Sequence, residues 1–306
     1  MSGNFVVLEI LLFTMVASAQ EMHIGTISFF GQEGVDVTAI RNALPIHEGS
    51  AYPTANADRD TWKQSVRDAV TKAIEKAPTD IQVPCCDQGN ILSLYIGLPG
   101  KSSHPVAYNP SPTGSARLSA ALVKLDKDID EGLLKALQEG RGGEDDSAGY
   151  ALFNDPAVRN MQLQVHDFAL KNEKLIYKVL AASSDPEHRS DAADALGYAR
   201  QSKRQIEALV RASFDSDVDV RNLAIRALGV LLRAKPQLGR YVPAGRFISL
   251  LSSDRWEDRN KASFLLMTMT STRDAQLHGK LRAEAMPALI EMSQFPFGHA
   301  YANTLF

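Results

Sequence analysis

The sequence predicts a small α+β module of β-α-α-β-β order followed by an all-α array of stacked helical pairs, so that the 306-residue chain is mostly helical. Three observations predict this. The stretch 185–197, Asp-Pro-Glu-His-Arg-Ser-Asp-Ala-Ala-Asp-Ala-Leu-Gly, returns thirty-two residues later as 217–229, Asp-Val-Asp-Val-Arg-Asn-Leu-Ala-Ile-Arg-Ala-Leu-Gly. A period between about 20 and 50 residues marks a unit that buries its apolar face only by stacking on its neighbours. Residues 24–31, Ile-Gly-Thr-Ile-Ser-Phe-Phe-Gly, are β-rich and close on Gly, whereas the chain beyond Pro156 carries apolar residues at helical spacing. Between the two lies a stretch dense in Pro, Gly and Ser, 99–114.

Taken in order, residues 5–16 are apolar apart from Glu9 and Thr14 and lead into Ala17-Ser18-Ala19. This predicts a signal peptide over 1–19, cleavage after Ala19 and a periplasmic or secreted mature chain. No Lys or Arg precedes the apolar run, and the alternative is a buried first helix or a start codon placed too early. The run falls short of the roughly 20 apolar residues a bilayer requires, so no membrane span is expected. The two cysteines, Cys85 and Cys86, are adjacent and would point to opposite faces of a strand, which places them poorly to bond one another.

The module is predicted over 20–100. After the first strand, Val37, Ile40 and Leu44 give a helix ended by Pro45. A second helix, capped at Asp60 or Thr61, carries Trp62, Val66, Ala69, Val70, Ala73 and Ile74 on one stripe and stops at Pro78. Strands 80–86 and 91–98 follow, joined by a turn at Gly89-Asn90. With Ile24-x-x-Ile27-x-Phe29-x-Gly31 opening it and Ala39-Ile-Arg-x-Ala-Leu-x-x-x-x-Gly49 following, this order resembles a POTRA-like module. The resemblance implies a docking or peptide-binding unit that extends its sheet with a partner's strand.

Residues 101–114 read as a Pro/Gly/Ser-rich linker and 115–306 as the array. Leu118, Leu122, Leu125, Ile129, Leu133, Leu134 and Leu137 restart the helical period. The loop 140–149, with Glu144, Asp145 and Asp146, lacks the alternating ligand spacing of a calcium loop and reads as a mobile, solvated turn. Helices are predicted over 158–170, 175–182, 206–214, 247–251 and 286–292. The last of these would be a first helix whose partner begins near Gly298, so the last repeat would be incomplete, with Leu289, Ile290 and Phe295 uncovered. A truncated product or self-association through the C-terminal repeat is the expectation that follows.

Paired helices of this length, with Asp-x-x-x-Arg opening the second helix and Ala-Leu-Gly closing its buried face, resemble HEAT repeats. The layout as a whole, with Asp258-Arg-Asn-Lys-Ala262 included, resembles a group of exported bacterial HEAT-repeat proteins to which no activity is attached. Arg189, Arg221 and Arg259 recur once per repeat, and Asp185 and Asp217 stand at helix starts; this is expected to be a structural ladder. If Ala192, Leu196, Ala224, Leu228, Ala262 and Leu266 face inward, then Asp194, Arg226 and Phe264 fall at equivalent outward positions, with Ser190, Asn222 and Asn260 one turn earlier. These six are the candidate partner-binding residues, because a partner-specific surface differs between repeats where the stacking residues do not.

The chemistry classes sort accordingly. A net charge of −3 gives no general pull toward nucleic acid or anionic lipid. Between 188 and 261, fourteen Lys or Arg face nine Asp or Glu, which keeps a basic nucleic-acid-gripping concavity as a third reading that export disfavours. The seven histidines are scattered, with no metal-ligand spacing, and there is no Gly-x-Ser-x-Gly elbow, Walker loop or Gly-x-Gly-x-x-Gly turn. The expectation is a non-enzymatic scaffold without cofactor or metal, binding a protein or peptide and no nucleic acid. The alternative is a ligand-binding protein or lyase of the bilin-lyase kind, which also uses short helical repeats.

Overall fold

The computed structural model describes residues 22–84, 91–295 and 304. The expected signal peptide, Cys85 and Cys86, the turn at Gly89-Asn90 and the stretch from Gly298 to 303 lie outside the described residues. Among the described residues no helix is long and apolar enough to cross a membrane.

The front module is built on a three-stranded sheet of order β1-β3-β2. β1 (His23–Phe30) runs parallel to β3 (Ile91–Gly97), and β2 (Asp80–Gln82) runs antiparallel to it. Side chains alternate across a sheet. Ile27, Phe29, Leu92, Leu94 and Ile96 therefore share one apolar cluster with Ile40 of α1 (Val37–Ala43) and Val66 and Val70 of α2 (Asn56–Ile74). Phe30 and Tyr95, on the other face, belong to the core of the helical array instead. α2 begins at Asn56 and not at the expected Asp60 or Thr61. Its N-cap Ala55 offers no side-chain cap, and Arg59 Nε reaches back to the Pro53 carbonyl at 2.9 Å, which closes the first turn earlier.

The array opens with α3 (Ala120–Gln138), capped by Ser119, and a hairpin of β4 (Glu144–Asp145) and β5 (Leu152–Phe153). Helical pairs follow: α4 (Pro156–Ala182) with α5 (Pro186–Gly197), and α6 (Lys203–Ala212) with α7 (Val218–Ala234). After a 3₁₀ turn (Pro236–Tyr241) come α8 (Ala244–Leu250) with α9 (Trp256–Thr270), and α10 (Ala275–Glu284) with α11 (Met286–Ser293). The two helices expected over 158–170 and 175–182 are one helix, α4, kinked at Asn172 (φ −123°, ψ 22°), whose side-chain amide donates to the Phe168 carbonyl at 2.9 Å. α10 was not expected, because Leu277 and Leu281 are its only buried residues and give little period to read. Asp274 caps it through the amides of Gln276 and Leu277. The stretch expected to be a first helix, 286–292, is thus the second helix of a pair.

A ladder of buried arginines ties each pair to the next. Arg189 forks onto Asp215 at 2.9 and 2.7 Å, Arg221 bonds Asp258 at 2.9 Å, and Arg259 bonds Glu291 at 2.6 Å. Each also donates to a turn carbonyl of its own pair: Ser183, Asp215 and Ser253. Asp185 and Asp217 cap α5 and α7 and take no part in these ion pairs.

The stretch expected to be a linker is a strap. It runs back along the array and meets the turns within three successive pairs: His104 N–Ser252 O at 2.8 Å, Asn109 N–Phe214 O at 2.7 Å and Gly114 N–Ala182 O at 2.8 Å. Two of these anchors, His104 and Asn109, precede prolines, which hold the preceding residue extended and demand no hydrogen bond of their own. Tyr108 lies under the Arg221 guanidinium, 3.9 Å from its ring centroid, and its hydroxyl bonds Asp258.

The front module closes the far end of the array. Trp256 at the start of α9 stacks on Tyr95 with ring centroids 3.7 Å apart and 9° between planes, and Phe30 and Phe295 flank it at 6.0 and 5.5 Å. Asp80 of β2 accepts from the Trp256 amide at 2.8 Å, so a module residue caps a helix that has no side-chain cap of its own. Glu291 accepts from the Gln32 amide at 3.1 Å. Phe295 and Leu289, expected to be uncovered, are buried; Ile290 is half exposed.

Candidate binding groove

The helix starts fix which side chains face one another across the array. Residues three and four apart share a helix face, so α3 presents Asp126 and Asp130 together, α5 presents Glu187, Ser190, Asp191 and Asp194, and α7 presents Asp219, Asn222 and Arg226. These residues line one groove of about 450 Å³ with Ile129, Leu133 and Leu223 in its walls. Of the six candidate positions, Ser190, Asp194, Asn222 and Arg226 come together here. Asn260 and Phe264, on α9, do not line it. Phe264 instead fills the space left by Gly229, where a Cβ would lie 2.1 Å from its ring, and carries Arg233 over its face at 5.3 Å.

Arg226 is not free for a partner. It pairs with Glu144 of β4, and Arg233 pairs with Asp146 at 2.5 Å, while Asp145 meets Arg159 of α4 at 3.0 Å. The loop expected to be mobile and solvated is therefore a hairpin pinned by its three acids, because each finds an arginine on α4 or α7. Among the described residues no group of three or more His, Cys, Asp or Glu is arranged to hold a metal ion.

The electrostatics of the groove are dominated by carboxylates brought close in a partly dry setting. Burial, and then the charges of Asp194, Asp191 and Asp130, push the Asp126 carboxyl up to about 8. Burial and the charges of Glu187 and Asp194 raise Asp191 to about 6. Asp194 also stands at about 6, burial outweighing the pull of Arg226. Lys261 of α9, desolvated and close to Arg226, is pushed down to about 8. Asp126, Asp130, Asp191 and Asp219 were not among the sequence-derived candidates. The i, i+4 spacing of Asp126 and Asp130 was the available signal on α3, whose leucines alone carried the reading.

Part of the basic excess between 188 and 261 is answered within the chain, whereas Arg204, Arg211, Arg240 and Arg246 stand exposed. Arg189, Arg221 and Arg259 are buried in the ladder, and Arg226 and Arg233 are held by Glu144 and Asp146. A larger cleft of about 890 Å³ lies between the 3₁₀ turn, α8 and α10, and its charged groups, Arg240, Arg246, Asp274 and Lys280, all stand in solvent. The front module's edge strand β1 is partly occupied: Ile24 N bonds Ser50 O at 2.9 Å, Tyr52 N bonds Met22 O at 2.7 Å, and Arg41 takes the Ile27 carbonyl at 2.7 Å.

Successive helical pairs joined by an interior arginine ladder define an α-solenoid repeat protein, an architecture that serves as a scaffold for protein interaction. The family profile described as HEAT repeats matches residues 173–239, which run from the second half of α4 to the 3₁₀ turn. Among solved structures, an engineered protein is similar at 17% identity and a TM-score of 0.39, over 61% of this chain and 77% of that one. A designed armadillo repeat protein is similar at 18% identity and a TM-score of 0.39, over 60% of this chain and 89% of that one. No curated protein matches the chain.

Proposed function

We propose that the chain is an exported, non-enzymatic scaffold that holds a protein or peptide partner in the α3–α5–α7 groove, with its POTRA-like front module acting as a docking cap. One observation carries the reading: the recurring arginines are consumed by stacking, whereas side chains that differ from repeat to repeat, Ser190 and Asp194 against Asn222 and Arg226, face a common groove. Export is supported by the apolar run 5–16 and Ala17-Ser18-Ala19. The POTRA-like reading is supported by the β-α-α-β-β order and the mixed three-stranded sheet.

The test is a pull-down from periplasmic extract with the mature chain and with Asn222→Trp, which fills the groove without touching the ladder. The wild-type chain is expected to retain a discrete partner that the variant loses. Equal retention by both would place the binding surface elsewhere.

A further inference from the structure

The groove described above contains more negative charge than the protein itself answers. Asp126 and Asp130 on α3, Glu187, Asp191 and Asp194 on α5, and Asp219 on α7 line it, against Lys127 and Arg226. Both cations are engaged: Lys127 bonds Glu187 at 2.7 Å, and Arg226 is tied to Glu144. Asp191 supplies the second observation. It is only 6% exposed, and its Oδ2 atom is buried without a hydrogen-bond partner. The neighbour that reaches this carboxylate is another carboxyl, Asp126. A buried carboxylate facing a second carboxyl is settled only by a shared proton or by a cationic donor. The acids are not grouped as metal ligands, but they are strung across three helices, which suits a long side chain bearing several N–H donors.

We infer that this groove takes an arginine side chain of a partner peptide, its guanidinium set against the Asp191–Asp126 pair with Asp130 at the rim. This rests on the reading of the groove as the partner-binding face. Guanidinium is planar, stays charged and offers five donors in a fork that matches carboxylate geometry. Entry of the cation displaces the proton that the two acids share, so binding strengthens as pH rises. The groups that face this pair are Lys127 and Asp130 from α3, Glu187 and Asp194 from α5 with Tyr198 at its C-terminal end, Asp219 and Arg226 from α7, and Glu144 beyond Arg226.

The experiment is calorimetric titration of the mature chain with the pentapeptide Gly-Arg-Gly-Arg-Gly, with Gly-Glu-Gly-Glu-Gly as control, at pH 5 and pH 8. The arginine peptide is expected to bind, more tightly at pH 8, and to weaken about tenfold or more in Asp191→Asn. Asp130→Asn, at an exposed position that does not threaten folding, is expected to weaken it less but in the same direction. Equal affinity for the two peptides, indifference of both variants, or calcium ion binding in place of the peptide would each overturn the inference. If the arginine peptide fails while Asn222→Trp still abolishes partner retention, the groove remains a binding face and only its ligand chemistry is wrong.

Discussion

Arg259 shows how far a single side chain is committed. It is fully buried, and its guanidinium reaches Glu291 in the last pair, the Ser253 carbonyl of its own pair and the Ser102 carbonyl at the start of the strap. Removing one partner of a buried ion pair leaves the other charged and unanswered, which costs about 3–5 kcal/mol. Arg259→Met is therefore expected to lower the unfolding free energy by about that amount in urea titrations. A loss no larger than that from breaking the exposed Arg41–Glu48 pair would contradict the ladder's role. Gly229 is committed by space instead. An added Cβ would meet the Phe264 ring at 2.1 Å, so Gly229→Ala is expected to destabilise by about 1–3 kcal/mol and to be rescued by Phe264→Leu. Gly197→Ala, whose Cβ would meet Ala227 Cβ at 3.1 Å, is expected to cost far less. The recurrence of these residues was legible in the sequence. Their acid partners were not, because Asp215, Asp258 and Glu291 stand at three different positions relative to their helices.

At the scale of elements, the sharpest difference from the sequence reading is the segment 101–114. Its Pro, Gly and Ser content is that of a linker, and composition alone does not distinguish a tether from a strap. What distinguishes them is the five-residue spacing of His104, Asn109 and Gly114, which matches the turns of successive pairs and becomes readable only once those turns are placed. The amides of these three residues are expected to be protected in native-state hydrogen exchange to nearly the level of the array. Exchange at unstructured rates would contradict the strap. A similar limit applies to α10, where two buried leucines in ten residues gave too little period, and to the pinned hairpin of Glu144, whose arginine partners lie far along the chain. Strongly periodic elements, such as α2 and α7, were legible as helices but not to their ends: α2 starts at Asn56, ahead of the expected cap, and α7 runs on to Ala234, past Gly229.

Across the whole molecule, the sheet faces two cores. Phe30 and Tyr95 reach into the array and pack with Trp256, so the module and the solenoid stabilise one another through a single apolar seam. The buried acids give this molecule an uncommon response to pH. Asp126, Glu257, Asp191 and Asp194 titrate at about 8, 7, 6 and 6, against ordinary values of 3.8 for Asp and 4.5 for Glu. Between about pH 4 and 8 the folded chain therefore binds more protons than the unfolded one, and stability falls as pH rises through that window. The thermal midpoint is expected to be higher at pH 5 than at pH 8, with the difference reduced in Asp126→Asn; an unchanged midpoint would count against the buried acids. Asp145, held at about 2 by Ser147 and Arg159, acts in the opposite sense only below the window, and Lys261, at about 8, only above it. Three of these acids, Asp126, Asp191 and Asp194, face the groove, the surface where a partner is proposed to sit. The most direct test places a photo-crosslinking amino acid at Asn222, inside the groove, and at the exposed Glu207 on α6 as a control. A single discrete adduct from Asn222 and none from Glu207 is the predicted result; adducts from Glu207 alone, or equally from both, would contradict it.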